Sequence, residues 1–115
     1  MMTHEKYWYD AKVIRIIDAD TIELDIDLGM HVRRREIVRL NRVDAWELRG
    51  VEKKLGNKAK QFVQERLPIG SIVEVNTFFD RTGKYGRLLV DIYLSDGECL
   101  NDVLVTNELA RYVEF

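Results

Sequence analysis

An arginine followed by two carboxylates marks residues 38–47, which read Val-Arg-Leu-Asn-Arg-Val-Asp-Ala-Trp-Glu. Arg39 lies in an apolar run that predicts a strand, and because its guanidinium stays charged at any accessible pH it needs an anionic partner such as a phosphate. Asp44 and Glu47 follow where the backbone leaves regular structure, so their oxygens can converge on a hard cation. A phosphate beside a metal indicates phosphodiester chemistry. Alone, such a segment is more often a solvated turn.

Two further segments favour phosphodiester chemistry over a solvated turn. Residues 18–21 read Asp-Ala-Asp-Thr, and residues 84–87 read Lys-Tyr-Gly-Arg. Each piece is common by chance, but the three in this order are a specific signal. Together they resemble the staphylococcal nuclease (thermonuclease) family, whose pattern is an Asp-Gly-Asp-Thr turn, a strand with Arg before Val-Asp-x-x-Glu, and a Lys-Tyr-Gly-Arg hairpin. The resemblance to this SNase-like domain covers roughly residues 12–115.

The resemblance implies a calcium site. Asp20 and Asp44 match the calcium-ligating aspartates of the family, and Ala45 matches a residue that ligates through its backbone carbonyl. Neighbouring strands of a meander lie about 5 Å apart, so Asp20 and Asp44 at one end of such strands can share a cation, and oxygen ligands suit calcium. Asp18 and Thr21 resemble positions that brace Asp20 and the waters on the metal.

The resemblance also implies the catalytic groups. Arg39 and Arg87 match the arginines that grip the reacting phosphate, and Glu47 matches the glutamate that orients the attacking water. Lys84 and Tyr85 match residues that hold the phosphate of the neighbouring nucleotide. The implied activity is that of a calcium-dependent endonuclease that hydrolyses DNA and RNA to leave 3′-phosphate ends. A stacking platform for exposed bases favours single-stranded substrates.

The elements that must position these residues are predicted from periodicity. Residues 7–17, 21–28, 31–43, 72–79 and 87–94 predict five strands, and residues 50–67 and 100–107 contain two helices. In the first helix Asn57 is a candidate cap and Pro68 the stop; in the second, Asn101 or Asp102 opens the helix and Asn107 closes it in a left-handed conformation. Residues 48–55 predict a loop, and residues 112–115 a short extended segment.

Five strands around a helix predict an α+β fold, a five-stranded OB-type barrel of the staphylococcal nuclease type, as a single domain over residues 1–115. The family usually continues into a third helix at the C-terminus, and we expect this helix to be absent because the sequence ends at Phe115. Either that helix is dispensable, or a second copy of the chain covers its docking surface, which makes a homo-oligomer an open alternative.

Composition limits the possible classes of protein. The formal net charge is −2, so nucleic acid must bind a local basic patch rather than the whole molecule. The candidate patch is residues 31–42, although Arg33 to Arg35 could equally form a solvated strand edge. The single Cys99 excludes an internal disulfide and a cysteine-based zinc site. No export signal and no apolar stretch of membrane length is seen, which predicts a cytoplasmic protein without a membrane partner; a processed exported form is the alternative.

Two other functions remain in competition with the nuclease. The first is a catalytically weak or inactive OB-fold module that binds nucleic acid or protein, favoured by Ala19, Ala45 and Trp46, which depart from the family pattern. The second is a structural domain that binds calcium but no nucleotide. The nuclease is favoured because the acidic and basic catalytic positions carry the expected residue types.

Overall fold

The computed structural model describes residues 7–45, 53–79 and 88–113, and these form seven strands and two helices. The strands are β1 (Trp8–Asp18), β2 (Thr21–Gly29), β3 (Val32–Leu40), β4 (Val43–Ala45), β5 (Ile72–Phe79), β6 (Leu88–Tyr93) and β7 (Ala110–Tyr112). The helices are α1 (Lys53–Arg66), between β4 and β5, and α2 (Leu100–Thr106), between β6 and β7.

Five of the strands close into a barrel in the order β1-β2-β3-β6-β5. All neighbours are antiparallel except β3 and β6, which run parallel. The β3–β6 pairing that closes the barrel spans Val38 to Leu40 of β3. The predicted five-stranded OB-type barrel is therefore confirmed. The two short strands β4 and β7 pair with each other in a separate antiparallel ribbon.

The core follows the period-two alternation seen in the sequence. Ile22, Leu24 and Ile26 of β2 all point inward and are buried. Leu24 pairs with Val13 of β1, and Ile22 pairs with Val38 of β3, so three strands contribute side chains to the same layer. Burying each such aliphatic side chain stabilises the fold by roughly 1.5–3 kcal/mol. The barrel core thus fixes the register of the strands that carry the candidate site.

The first helix begins earlier than predicted. Lys53 starts α1, so Asn57 lies inside the helix and is not its cap, and residues 53–55 are helical rather than part of a loop. Lysine and leucine are good helix formers, which allows the extra turn to form before Gly56. Ala59 and Val63, one turn apart, are fully buried, and the helix stops just before Pro68 as expected.

The ends of α2 also differ from the prediction. Cys99 is the N-terminal cap residue, and Asn101 is buried inside the helix. Asn107 has a φ of −91°, and the left-handed residue is Glu108, with a φ of 61°. The Asn107 side chain donates a hydrogen bond to the Val103 carbonyl (2.8 Å), which also accepts from the Asn107 backbone amide (3.0 Å).

The predicted third strand is divided into two. It ends at Leu40, and Arg42 adopts a φ of 69° before the chain starts β4 at Val43. This turn takes the chain out of the barrel. The last strand, β7, begins at Ala110 rather than residue 112, because it pairs with β4 along its whole length.

Candidate active site

The β1–β2 turn and the end of β3 bring several predicted site residues to one end of the barrel. Asp18 and Thr21 pair across the turn, and Thr21 in turn pairs with Arg39. The Leu40 amide donates to the Asp20 carbonyl (2.9 Å), which ties the turn to β3. The structure therefore brings the β1–β2 turn and the end of β3 together at one end of the barrel.

Asp20 is held by three donors from three parts of the chain. One carboxylate oxygen, Oδ2, accepts from the Ala45 amide (3.1 Å) and from Nη1 of Arg39 (2.8 Å). The other oxygen accepts from the Thr21 hydroxyl (3.1 Å). Asp20 is only 9% exposed, so these contacts replace the water that a free carboxylate would bind. The result is a carboxylate with a fixed orientation.

Arg39 links Asp20 to Asp44. Its Nη1 contacts Asp20 at 2.8 Å, and its Nη2 donates to Oδ1 of Asp44 at 3.1 Å. The Arg39 side chain is 15% exposed, against 37% for Asp44, so the cluster opens toward solvent on the Asp44 side. A guanidinium fixed by two charge-assisted contacts is well oriented for a phosphate. The anionic partner that the sequence demanded for Arg39 is, in this structure, a pair of carboxylates.

The turn residue Ala19 fits without backbone strain. Within residues 7–45, 53–79 and 88–113, the non-glycine residues with positive φ are Met30, His31, Arg42 and Glu108. Ala19 is not one of them, and its methyl group is buried. Glycine is therefore not required at this turn.

One residue of the cluster was missed by the sequence analysis. Arg111 on β7 lies directly opposite Asp44 on β4, and its Nη2 is 3.6 Å from Oδ2 of Asp44. Its side chain is 70% exposed. Arg111 is near Asp44 only because two three-residue strands that are far apart in the chain pair with each other. No local pattern predicts that pairing.

A polar network behind the cluster holds the ribbon of β4 and β7 to the barrel. Arg42 contacts Asp91 (3.4 Å) and Asp102 (3.3 Å), and its carbonyl accepts from the Val113 amide (2.8 Å). Tyr112 donates to Asp102 (2.9 Å). These contacts fix the turn at Arg42 that leads into β4. They also fix β7, the strand that carries Arg111.

Burial and charge alter two pKa values in this network. Burial raises the pKa of Asp91, and the nearby Arg42 guanidinium partly offsets that rise. For Arg42, burial lowers the pKa, but attraction to Asp91 and Asp102 outweighs it and the pKa is raised overall. Arg42 therefore remains charged and serves the network rather than the candidate site.

The basic patch predicted at residues 31–42 is largely compensated. Arg33 pairs with Asp25 (2.9 Å), and Arg34 pairs with Glu36. The alternative that these arginines form a solvated strand edge fits these contacts better. Of the predicted patch, it is Arg39 that joins the Asp20 and Asp44 cluster.

The donor chemistry of the cluster suits a hard cation. Asp20 and Asp44 offer carboxylate oxygens that already converge on one positive group, and Ala45 adjoins them in the chain. In the part of the chain that the structure describes, no three side chains of the His, Cys, Asp or Glu type are grouped to hold a metal. A cation here would be held by two carboxylates, with the rest of its ligands from backbone carbonyl and water.

Several predicted site residues lie outside the described ranges. These are Glu47, Lys84, Tyr85 and Arg87, together with Trp46. Their roles stay predictions. Neither described helix is long and apolar enough to cross a membrane.

Comparison with known proteins agrees with this geometry. Residues 37–115 match the sequence model of a family described as staphylococcal nuclease homologue. The chain is also 33% identical over 95 residues to a protein of Escherichia coli O157:H7 named uncharacterized endonuclease. That alignment covers 83% of this chain and 55% of the relative, and a protein of the same name from Escherichia coli matches equally well.

The chain thus spans about half the length of the curated relatives that it matches. The matched family region, which is most of the chain, contains Arg39, Asp44 and Ala45 of the cluster. Since the barrel, the cluster and the family match all agree, this chain belongs to the staphylococcal nuclease family.

Proposed function

We propose that this chain is a calcium-dependent endonuclease that hydrolyses phosphodiester bonds of DNA and RNA and leaves 3′-phosphate ends. The observation that carries the proposal is the position of Arg39, which is fixed between Asp20 and Asp44 at an end of the barrel that opens toward solvent. The name endonuclease given to the relatives supports the same class of reaction.

In this proposal Asp20, Asp44 and the carbonyl of Ala45 hold the calcium ion. When bound, calcium supplies positive charge that stabilises the developing charge on the phosphate oxygens. The Thr21 hydroxyl donates to Oδ1 of Asp20. The other carboxylate oxygen of Asp20, Oδ2, is directed toward Arg39 and the Ala45 amide. Asp18 ends β1 beside this turn and supports its conformation.

The reaction itself depends on groups that donate to the phosphate and on one that orients water. Arg39 and Arg87 donate hydrogen bonds to the non-bridging oxygens, whose charge grows as water attacks phosphorus. Glu47 orients that water and accepts its proton. The bond from phosphorus to the 5′ oxygen breaks, the 5′ oxygen takes up a proton, and the phosphate stays on the 3′ side.

Substrate binding extends beyond the reacting phosphate. Lys84 and Tyr85 would hold the phosphate of the adjacent nucleotide, and the tyrosine ring can stack on a base of any identity. Stacking needs an unpaired base, so single-stranded or frayed nucleic acid is the preferred substrate. This preference requires no base-specific contact.

The test is cleavage of a 5′-labelled single-stranded oligonucleotide in calcium, with DNA and RNA versions, and analysis of fragment masses. We expect fragments that end in 3′-phosphate, and we expect Glu47→Gln to slow cleavage by about 10²-fold or more. Glu74→Gln, which changes an exposed carboxylate on β5, is the matched control and should cleave at the parent rate.

Two results would contradict the proposal. Fragments that end in 3′-hydroxyl would mean that the other phosphorus–oxygen bond breaks. An oligonucleotide that binds but stays intact would identify the chain as an OB-fold binding module instead.

A further inference from the structure

We propose that Arg111 binds a phosphate of the nucleic-acid substrate near the reacting one, other than the phosphate that Lys84 and Tyr85 would hold. This assignment rests on the proposed nuclease function. It concerns a residue on β7, the C-terminal strand of the ribbon, and it adds a second cation to the described cluster.

Geometry places Arg111 at the rim of the cluster. The β4–β7 pairing sets it opposite Asp44, and its Nη2 is 3.6 Å from Oδ2 of that carboxylate. Arg39 contacts the other oxygen, Oδ1, at 3.1 Å. Asp44 therefore lies between a mostly buried guanidinium and an exposed one, and Arg111 is on the solvent side.

The contact between Arg111 and Asp44 is weak enough for Arg111 to exchange it for a contact with a phosphate. At 3.6 Å, with the arginine side chain 70% exposed, the pair resembles surface ion pairs, which stabilise proteins very little. The guanidinium carries five N–H donors, so an Asp44 contact leaves others for a second anion. Planar guanidinium groups bind phosphate through paired hydrogen bonds.

The charge of the described cluster favours such a cation. The whole chain has a net charge of −2, and Asp18, Asp20 and Asp44 add negative charge where a polyanion must approach. Arg39 is largely committed to two of these carboxylates. Among the described residues, Arg111 is a largely exposed cation beside this cluster, and it also screens Asp44.

The backbone that carries Arg111 is held in place. Its neighbour Tyr112 donates to Asp102 (2.9 Å), and the Val113 amide donates to the Arg42 carbonyl (2.8 Å). A side chain on a fixed strand loses less freedom on binding than one on a loose terminus. Arg111 thus has an exposed side chain on a fixed strand, which suits a contact with a nucleic-acid phosphate.

The test is binding of a fluorescent single-stranded oligonucleotide in calcium, by polarisation, at several salt concentrations, in the cleavage-impaired Glu47→Gln background. Arg111→Gln should weaken binding roughly tenfold and lower the slope of log K against log[salt] by about 0.7, the value for one phosphate contact on a single strand. Arg111→Lys should restore the slope, because it keeps the charge, and recover part of the affinity.

Arg15→Gln is the matched control. Arg15 is 60% exposed and pairs with Glu23 (2.7 Å) on the barrel, so its loss removes the same charge and should change the salt slope little. Steady-state cleavage gives a second readout: Arg111→Gln should raise KM about tenfold and change kcat less than about twofold.

If the parent chain binds the oligonucleotide and the Arg111→Gln variant has the same affinity and the same salt slope, the assignment of Arg111 is wrong. A parent chain that does not bind the oligonucleotide would instead overturn the proposed function, and the assignment with it. The two failures are therefore distinguishable.

Discussion

Replacement of Arg39 by alanine should slow phosphodiester hydrolysis by about 10²–10³-fold, the usual cost of one donor to a developing oxyanion. The guanidinium is fixed by Asp20 (2.8 Å) and Asp44 (3.1 Å) and is only 15% exposed, so its position is set before a phosphate binds. Initial rates on denatured DNA at saturating calcium measure the effect.

Arg39→Lys separates charge from geometry. Lysine keeps the positive charge but lacks the planar fork that meets two carboxylates at once, so most of the rate should still be lost. Because Arg39→Ala leaves Asp20 with an unpaired, largely buried charge, it should also destabilise the metal-free protein by about 3 kcal/mol. Circular dichroism at the assay temperature verifies that both variants are folded. An alanine variant as fast as the parent would show that Arg39 does not act on the phosphate.

Replacement of Asn101 by alanine should have the largest effect on stability, a loss of about 3 kcal/mol or more. Asn101 is fully buried, and its amide donates to the carbonyls of Asn41 (2.8 Å) and Val90 (3.0 Å) and accepts from the Ile92 amide (3.2 Å). It joins α2, β6 and the turn after β3. Alanine would leave these groups short of partners and create a cavity.

Urea unfolding monitored by fluorescence measures that loss. Asn107→Ala is the control on the same helix, since its side chain is exposed and makes one hydrogen bond to Val103, so it should change stability by less than about 1 kcal/mol. Equal stability of the parent and the Asn101→Ala variant would mean that the buried amide does not join these elements as described.

The barrel could be predicted from the sequence in large part because β2 alternates strictly between buried and less buried residues. Ile22, Leu24 and Ile26 mark the inner face of β2 without ambiguity, and this pattern fixes register once neighbouring strands are placed. The meeting of Asp20 with Arg39 follows from that register. What could not be predicted was the left-handed turn at Arg42, because arginine is not among the residue types enriched at positive φ.

The residues that were missed depend on contacts between distant parts of the chain. Arg111 becomes part of the cluster only because β7 pairs with β4. Asn101 was interpreted as a helix cap, since asparagine near a helix start usually is one, but burial directs its amide to the β3–β4 turn and β6 instead. In both cases local propensity was overridden by tertiary packing.

The most direct test of the nuclease proposal is release of acid-soluble nucleotides from heat-denatured DNA with calcium, with magnesium and with a chelator. We expect rapid release in calcium, little release with chelator, and a loss of about 10²-fold or more in the release rate of Asp20→Asn. Asn keeps an oxygen for the Ala45 amide, so it removes charge and little else. Asp25→Asn, which changes a partly exposed carboxylate on β2 that pairs with Arg33, is the control and should release nucleotides at the parent rate. Release that persists in chelator, or that is as fast in Asp20→Asn as in the parent, would contradict the account.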